Sequence, residues 1–379
     1  MRLFQVETPC LVLEKGKLQR NIERMHSKVA RLGAGLRPHL KTAKCVEVAR
    51  MALAIQSGGI TVSTLKEAEY FLDNGITDLL YAVGIAPVKL DHVADLIRRG
   101  AELTIILDSL DQAKAAAQRA QMHGITLPVL IEIDSDGHRS GVKPNDILLI
   151  EIGRMLHHSQ GLQLKGVLTH AGDSYGCKTI DEIQRIAAQE ADAAFRCAEG
   201  LRHAGLPCPT VSVGSTPTAT YATNYAGITE VRAGVYMFSD LKMAGLNVCN
   251  VEDLALSVAA SVIGHQRQKG WVITDAGWMA LSSDRGTASQ TIDQGYGVVC
   301  DIEGRPYPDL IVEGVYQEHG IIARRPGLGK ELEWHNFPIG STVRILPNHA
   351  CATGAMHDRY YVVNGTTEVM AIWHRINGY

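Results

Sequence analysis

Aromatic residues are scarce, at 6% of the chain. They form no stripe interleaved with basic residues, and the formal net charge is -3, so nucleic acid is not an expected partner. No apolar run is long enough to cross a bilayer, and no membrane association is expected. The opening Met1-Arg2-Leu3-Phe4-Gln5 lacks the apolar core and cleavage site of a signal peptide. The eight cysteines are scattered and include no Cys-x-x-Cys pair. In a chain of 379 residues this predicts reduced thiols and a cytoplasmic protein rather than a disulfide framework. There is no low-complexity tract, and no internal repeat beyond a strand-helix unit.

That unit is what the chain does have. Hydrophobic residues make up 46%, enough for a large core. Thr8–Glu14 reads as an entry strand, and Leu18, Ile22, Met25, Val29 and Leu32 recur at helical spacing. A strand ending at Lys41 follows. Further strands are expected over Gly59–Thr64, Asp78–Val83, Leu103–Asp108, Val129–Asp134, Gly166–His170, Thr210–Ser215 and Thr229–Gly234. Helical stretches fall between them, near 44–56, 65–74, 87–99, 110–123, 144–157, 179–204 and 217–222. Counting the Lys41 strand gives eight. Many are Val/Ile/Leu-rich, as strands covered on both faces should be. Polar or small residues recur at their C-terminal ends rather than at a single switch point, which favours a (β/α)8 TIM-type barrel over a doubly wound open sheet. After about Val248 the chain turns to short β-type runs punctuated by Gly, Pro and Asp. The expected architecture is α/β: a barrel over 8–248, then a mostly β C-terminal domain over 249–379, which the strand at 8–14 could join.

The strand ends carry the candidate chemistry. Lys41, in Arg37-Pro38-His39-Leu40-Lys41-Thr42, sits where a strand gives way to a loop. It is either a solvated surface lysine or, beside a histidine and an arginine, a nucleophile of lowered pKa. Gly214-Ser215-Thr216 ends the seventh strand, and Arg232-Ala233-Gly234-Val235-Tyr236 ends the eighth. In barrels the loops at those two places often hold a phosphate through backbone N–H groups; ordinary loop glycine and serine is the other reading. His170 ends the sixth strand, either against an aromatic cofactor ring or as a core histidine. Arg139, in Gly137-His138-Arg139-Ser140-Gly141, suits a carboxylate or cofactor oxygen, or else a salt bridge. His349 and Cys351 stand two apart in a stretch read as extended, where alternating side chains share a face. Two ligands are too few for a closed zinc site but suit an open one completed by water and substrate. A buried thiol beside an incidental histidine is the alternative. Gln317-Glu318-His319-Gly320 could supply groups around that pair.

Together these motifs resemble the D-serine dehydratase and D-threonine aldolase family, the alanine-racemase-like, fold-type III pyridoxal-phosphate enzymes. The resemblance runs from Thr8-Pro9 to the final strands. It rests on the Lys41 stretch, Gly137–Val142, Thr169–Gly172, Glu230–Tyr236, Asp275–Trp278 and Pro347–Cys351. Ser63–Glu69 and Val213–Thr218 look most like the family's 3-hydroxyaspartate dehydratases. The resemblance implies pyridoxal 5'-phosphate carried on Lys41, with Thr216, Gly234 and Val235 at its phosphate. It sets His170 against the ring, Tyr175 in contact with the cofactor, Arg139 near a cofactor oxygen and Arg232 at the ring nitrogen. Some aldolases of the group lack that last arginine. His349 and Cys351 match the family's metal pair, whose aldolases more often carry His-x-Asp and dehydratases His-x-Cys.

The implied activity is a dehydratase (a carbon–oxygen, ammonia-releasing lyase). It turns a D-3-hydroxy amino acid such as D-threo-3-hydroxyaspartate, D-serine or D-threonine into a 2-oxo acid and ammonia. A divalent metal assists, with zinc favoured and manganese or cobalt able to serve. An aldolase giving glycine and an aldehyde, a racemase, and a non-catalytic pyridoxal-phosphate-binding protein remain open. Related enzymes are commonly dimers, so a homodimer acting on a small molecule is expected.

Overall fold

The computed structural model describes residues 1–379 apart from Ser57, His138 and Lys330. It divides into two compact units, one of Glu23–Gly234 with Gly378–Tyr379, the other of Met1–Ile22 with Val235–Asn377. The chain opens with β1 (Cys10–Glu14) and α1 (Lys15–Arg31). The strands that follow are β2 (Gly35–Pro38), β3 (Ile60–Val62), β4 (Asp78–Gly84), β5 (Glu102–Leu107), β6 (Leu127–Ile133), β7 (Leu162–Thr169), β8 (Thr210–Val213) and β9 (Glu230–Ala233). Between them lie α2 (Val46–Leu53), α3 (Leu65–Asp73), α4 (Leu90–Arg98), α5 (Leu110–His123), α6 (Leu148–His158), α7 (Ile180–His203) and α8 (Thr216–Tyr221).

These eight strands pair in parallel in the order β2-β9-β8-β7-β6-β5-β4-β3. A parallel bridge from His39 to Thr61, with Leu40 N–H donating to Thr61 O at 2.9 Å, links the two ends of that row. The result is a nearly closed barrel, and its seam runs beside Lys41. Buried Leu, Ile and Val dominate the strands, while helices such as α7 turn Ile183, Ala187, Ala194, Cys197 and Leu201 inward. Thr179 caps α7, accepting the Glu182 N–H at 3.2 Å while Glu182 Oε2 accepts the Thr179 N–H.

The other unit continues through α9 (Leu241–Gly245), β10 (Leu256–Gln266), β11 (Trp271–Thr274), α10 (Trp278–Leu281), β12 (Val298–Cys300), β13 (Pro306–Val315), β14 (Gly320–Arg324), β15 (Thr342–Leu346), α11 (Ala350–Ala355), β16 (Arg359–Val363) and β17 (Ala371–His374). Its sheet has nine strands, ordered β11-β14-β13-β12-β15-β10-β1-β16-β17. The N-terminal strand β1 lies inside it, antiparallel to β10 and parallel to β16. A buried ion pair fixes that strand: Arg344 donates to Glu14 Oε1 at 2.9 Å and to Ser257 Oγ at 2.9 Å, and Gly365 N–H donates to Glu14 Oε2 at 3.0 Å. All eight cysteines are free thiols. No helix among the described residues is long and apolar enough to cross a membrane.

Candidate active site

In the barrel unit, chemistry-bearing side chains gather at the C-terminal ends of the strands. Lys41 stands exposed in the turn after β2, and its N–H faces His39 Nδ1 at 3.4 Å. His39 Nε2 meets Ser63 Oγ at 3.4 Å, tying the Lys41 turn to the loop after β3. His170 follows β7, and its Nδ1–H donates to Gly214 O at 2.9 Å, which makes Nε2 the ring's acceptor. Burial, aided by the positive charges of Lys41, Arg232 and Arg139, pushes His170 down to about 4, although the bond to Gly214 opposes the shift. Burial, Lys41 and Arg232 likewise hold His39 well below the usual imidazole range. His39 and His170 thus both lie in the positive field of Lys41 and Arg232. The Tyr175 ring lies 6.1 Å from that of His170, tilted by 41°. Arg139 is exposed in the loop after β6, and its neighbour His138 lies outside the described residues.

Arg232 is 4% exposed and donates to Ser212 Oγ and to Thr169 O, both at 2.6 Å. Burial lowers its pKa, while Glu230, Glu190 and Glu132 oppose the change with their negative charge. This guanidinium is fixed in one orientation and is not a free surface charge.

The loops after β8 and β9 are more constrained than glycine and serine content alone suggests. Gly214 has φ +132°, and a Cβ there would collide with Arg232 O, so only glycine fits. Gly214 N–H already donates to Glu190 Oε1 at 2.9 Å, and Ser215 N–H to Thr218 Oγ1 at 3.0 Å. Ser215 Oγ accepts the Thr218 N–H, capping α8. The phosphate reading therefore falls on Thr216, which opens α8, and on Gly234 and Val235. A Cβ on Gly234 would sit 2.8 Å from His39 O and press on the Lys41 turn. Val235 opens a 3-10 turn over Val235–Met237.

In the second unit, the His349 to Cys351 stretch is not the extended segment expected from the sequence. His349 is the extended N-cap of α11, and Cys351 lies within that helix. The corner turns because Asp240 Oδ2 accepts the Ala350 N–H at 3.0 Å, while Asn348 Nδ2 donates to Gly295 O at 2.7 Å. His349 Nδ1–H donates to Asp284 Oδ2 at 2.7 Å, and the imidazole also hydrogen-bonds the Cys351 side chain. Burial lowers the His349 pKa, but Asp284, Cys351 and Asp240 outweigh it and carry it to about 10. The Gln317–Gly320 stretch makes the β13–β14 turn, where the Tyr316 and Gln317 carbonyls accept the Trp278 and Met279 N–H groups; the group holding His349 is Asp284. Among the described residues no three His, Cys, Asp or Glu groups are placed to hold a metal ion. An imidazole and a thiol in mutual contact, with the imidazole oriented by a carboxylate, fit an open metal site whose other ligands come from outside the chain.

Two carboxylates of these sites were not anticipated. Glu190 occupies a core position in the apolar stripe of α7, a signal the sequence does contain. Asp284 lies in an irregular loop whose pattern offers none.

A lysine-bearing (β/α)8 barrel joined to a β unit defines the alanine racemase fold class. The family model for the alanine racemase N-terminal domain matches residues 13–242, and a domain model named for serine dehydratase matches residues 255–363. The chain belongs to this alanine-racemase-like family. It is 51% identical to the D-threo-3-hydroxyaspartate dehydratase of Delftia sp. (strain HT23), covering 100% of this chain and 99% of that protein. The solved structure of that dehydratase superposes with a TM-score of 0.97 over 100% of both chains. Variants of it with a histidine or a cysteine replaced by alanine have also been solved, the cysteine variant in a metal-free form. The D-serine dehydratase of Dictyostelium discoideum is 28% identical, covering 96% of this chain and 95% of that one. The D-threonine aldolase of an Arthrobacter species is 28% identical, covering 95% of this chain and 90% of that one.

Proposed function

We propose that this chain is a pyridoxal-phosphate- and divalent-metal-dependent dehydratase, converting a D-3-hydroxy amino acid to a 2-oxo acid and ammonia. D-threo-3-hydroxyaspartate is the leading substrate. One observation carries the reading: full-length 51% identity to the Delftia dehydratase. The histidine and cysteine replaced in the variants of that enzyme stand two positions apart, the spacing of His349 and Cys351 here.

Lys41 carries the cofactor, with Thr216, Gly234 and Val235 at the phosphate, His170 and Tyr175 against the ring and Arg232 at the ring nitrogen. Arg139 meets a cofactor oxygen. Bound pyridoxal phosphate supplies an electron sink for the bond broken at the α-carbon. With the cofactor bound, the Lys41 amine would be the base that takes the α-proton. Asp284 holds Nδ1 of His349, and His349 and Cys351 would together hold a divalent ion. Such an ion would supply Lewis acidity at the β-hydroxyl, whose departure is otherwise slow. Loss of proton and hydroxide leaves an enamine, which hydrolyses to the 2-oxo acid and ammonia. The thiolate and imidazole favour zinc over manganese or cobalt. Eight free thiols accord with a cytoplasmic enzyme, and we extend the reading to a homodimer.

The test is incubation of the purified holoenzyme with D-threo-3-hydroxyaspartate, D-serine and D-threonine. 2-Oxo acid and ammonia are the expected products. Glycine and an aldehyde as main products would replace the dehydratase with an aldolase, a reading that Cys351 in place of aspartate weighs against.

A further inference from the structure

Glu190 has no part in the chemistry above, yet it is a carboxylate 1% exposed in the middle of a helix's apolar stripe. Such a group persists only where hydrogen bonds replace its hydration. One oxygen, Oε1, accepts two backbone N–H groups, from Ala171 at 2.9 Å and from Gly214 at 2.9 Å. The Thr218 hydroxyl also bonds the carboxylate, and burial raises its pKa against these bonds and the charge of Arg232.

The two N–H groups belong to different loops. Ala171 follows His170, the residue assigned to the cofactor ring, and Gly214 precedes Ser215 and Thr216 at the phosphate end. Two more bonds join the same loops: His170 Nδ1–H to Gly214 O at 2.9 Å, and Ser174 Oγ with Ser215 Oγ at 2.8 Å. Those run directly between the loops, so a movement of one loop carries the other with it. Glu190 differs in that it reaches both from α7, a 24-residue helix packed on the barrel.

We propose that Glu190 is a positioning residue that locks the ring loop and the phosphate loop at a fixed separation, making binding of the two ends of the cofactor cooperative. The inference rests on the assignment of His170 and Thr216 to pyridoxal phosphate. A ligand touching both loops gains from the lock, and a ligand touching only one does not.

The experiment measures dissociation constants of pyridoxal 5'-phosphate, of pyridoxal and of inorganic phosphate, for wild type, Glu190→Ala and Glu190→Gln, alongside circular dichroism. Glu190→Ala should weaken pyridoxal phosphate by about tenfold or more, the scale of one lost charged hydrogen bond. Pyridoxal alone and phosphate alone should change by less than about twofold, since neither bridges the loops. Glu190→Gln keeps an oxygen acceptor at Oε1 and should recover most of the loss. If the alanine variant does not fold, Glu190→Met, which fills the same space without an acceptor for the two N–H groups, carries the test in its place: a loss confined to the phosphorylated cofactor supports the lock. Equal loss for all three ligands, or none, overturns it. Wild type that fails to bind pyridoxal phosphate at all overturns the proposed function, and this inference with it. Normal wild-type binding matched by both variants overturns the positioning role alone.

Discussion

The barrel site and the His349 corner are built on opposite principles. In the barrel unit, Lys41, Arg139, His170, Gly214 and Arg232 come from five strand ends or the loops just after them. The parallel hydrogen-bond ladder sets their spacing, and no single loop decides the site. Burial, with the nearby positive charges of Lys41 and Arg232 adding to it, holds the imidazoles neutral there. In the second unit, two residues two apart stand at one strand-to-helix junction, and carboxylates surround them. Asp284 and Asp240 push the imidazole toward its charged form, the reverse of what Lys41 and Arg232 do to His170. On the proposed function, the barrel site would receive an anionic cofactor and the His349 corner a cation.

Replacing Lys41 tests the barrel half most severely. Lys41→Ala should remove the visible absorbance of the lysine-bound cofactor and cut turnover by roughly 10⁴-fold or more, since it removes both attachment point and base. Borohydride reduction followed by peptide mapping checks the assignment, and a label on Lys44 would sink it.

Cys351→Ala addresses the other half. Elimination should fall by about 10²-fold or more, as loss of several kcal/mol of Lewis-acid stabilisation implies. The visible absorbance at Lys41 should persist, and metal analysis should show the ion gone. Full dehydratase activity in a metal-free preparation would remove the metal from the mechanism. Asp284→Ala is milder, because it frees the His349 ring without deleting a ligand. Metal affinity should drop by roughly 10- to 100-fold, measured by competition with a chelating dye. Affinity unchanged from wild type would show that Asp284 does not orient the imidazole.

The smallest effect comes from His170. Its folded pKa of about 4 lies below the ordinary value of 6.5, so between those values the unfolded chain binds more protons. Stability therefore rises with pH through that window, is fully present above it, and is lost as pH falls toward 4. Thermal unfolding of the apoprotein should show a melting temperature a few degrees lower, on the order of 2–5 °C, at pH 5 than at pH 7. In His170→Gln that difference should shrink; an unaltered pH profile would mean the imidazole is not held neutral.

Much of the barrel was legible because its signals are local and periodic. The apolar strands, the helical spacing of Leu18 to Val29 and the polar strand ends all fall within a few residues of the elements observed. The second unit was harder. Its short β-type runs do form a sheet, but β13 carries Pro306, Pro308 and Gly314, which interrupt a strand pattern. The His349 corner was misread because α11 is six residues long and is held by Asp240, 110 positions away along the chain. No window of sequence contains that bond. Glu190 was visible, a charge where the stripe of α7 demanded an apolar residue, but its two acceptor bonds depend on the folded loops.

The place of β1 in the nine-stranded sheet has a consequence for how the molecule is made. That strand precedes the barrel, yet β10 begins at Leu256 and β16 at Arg359, so both its partners are made only after the barrel strands. The strands and helices of the barrel emerge in the interval, while a mostly apolar five-residue segment, Cys10–Glu14, waits unpaired. Such an edge is a template for pairing with another chain. A fragment beginning at Cys249 would carry the converse defect: β10 and β16 on either side of a gap, with Arg344 buried and its carboxylate partner missing. Cutting this protein at its most obvious compositional boundary would therefore give a second half unable to close its own sheet, whereas a cut that carries Met1–Ile22 along, fused ahead of Val235, would restore the missing strand.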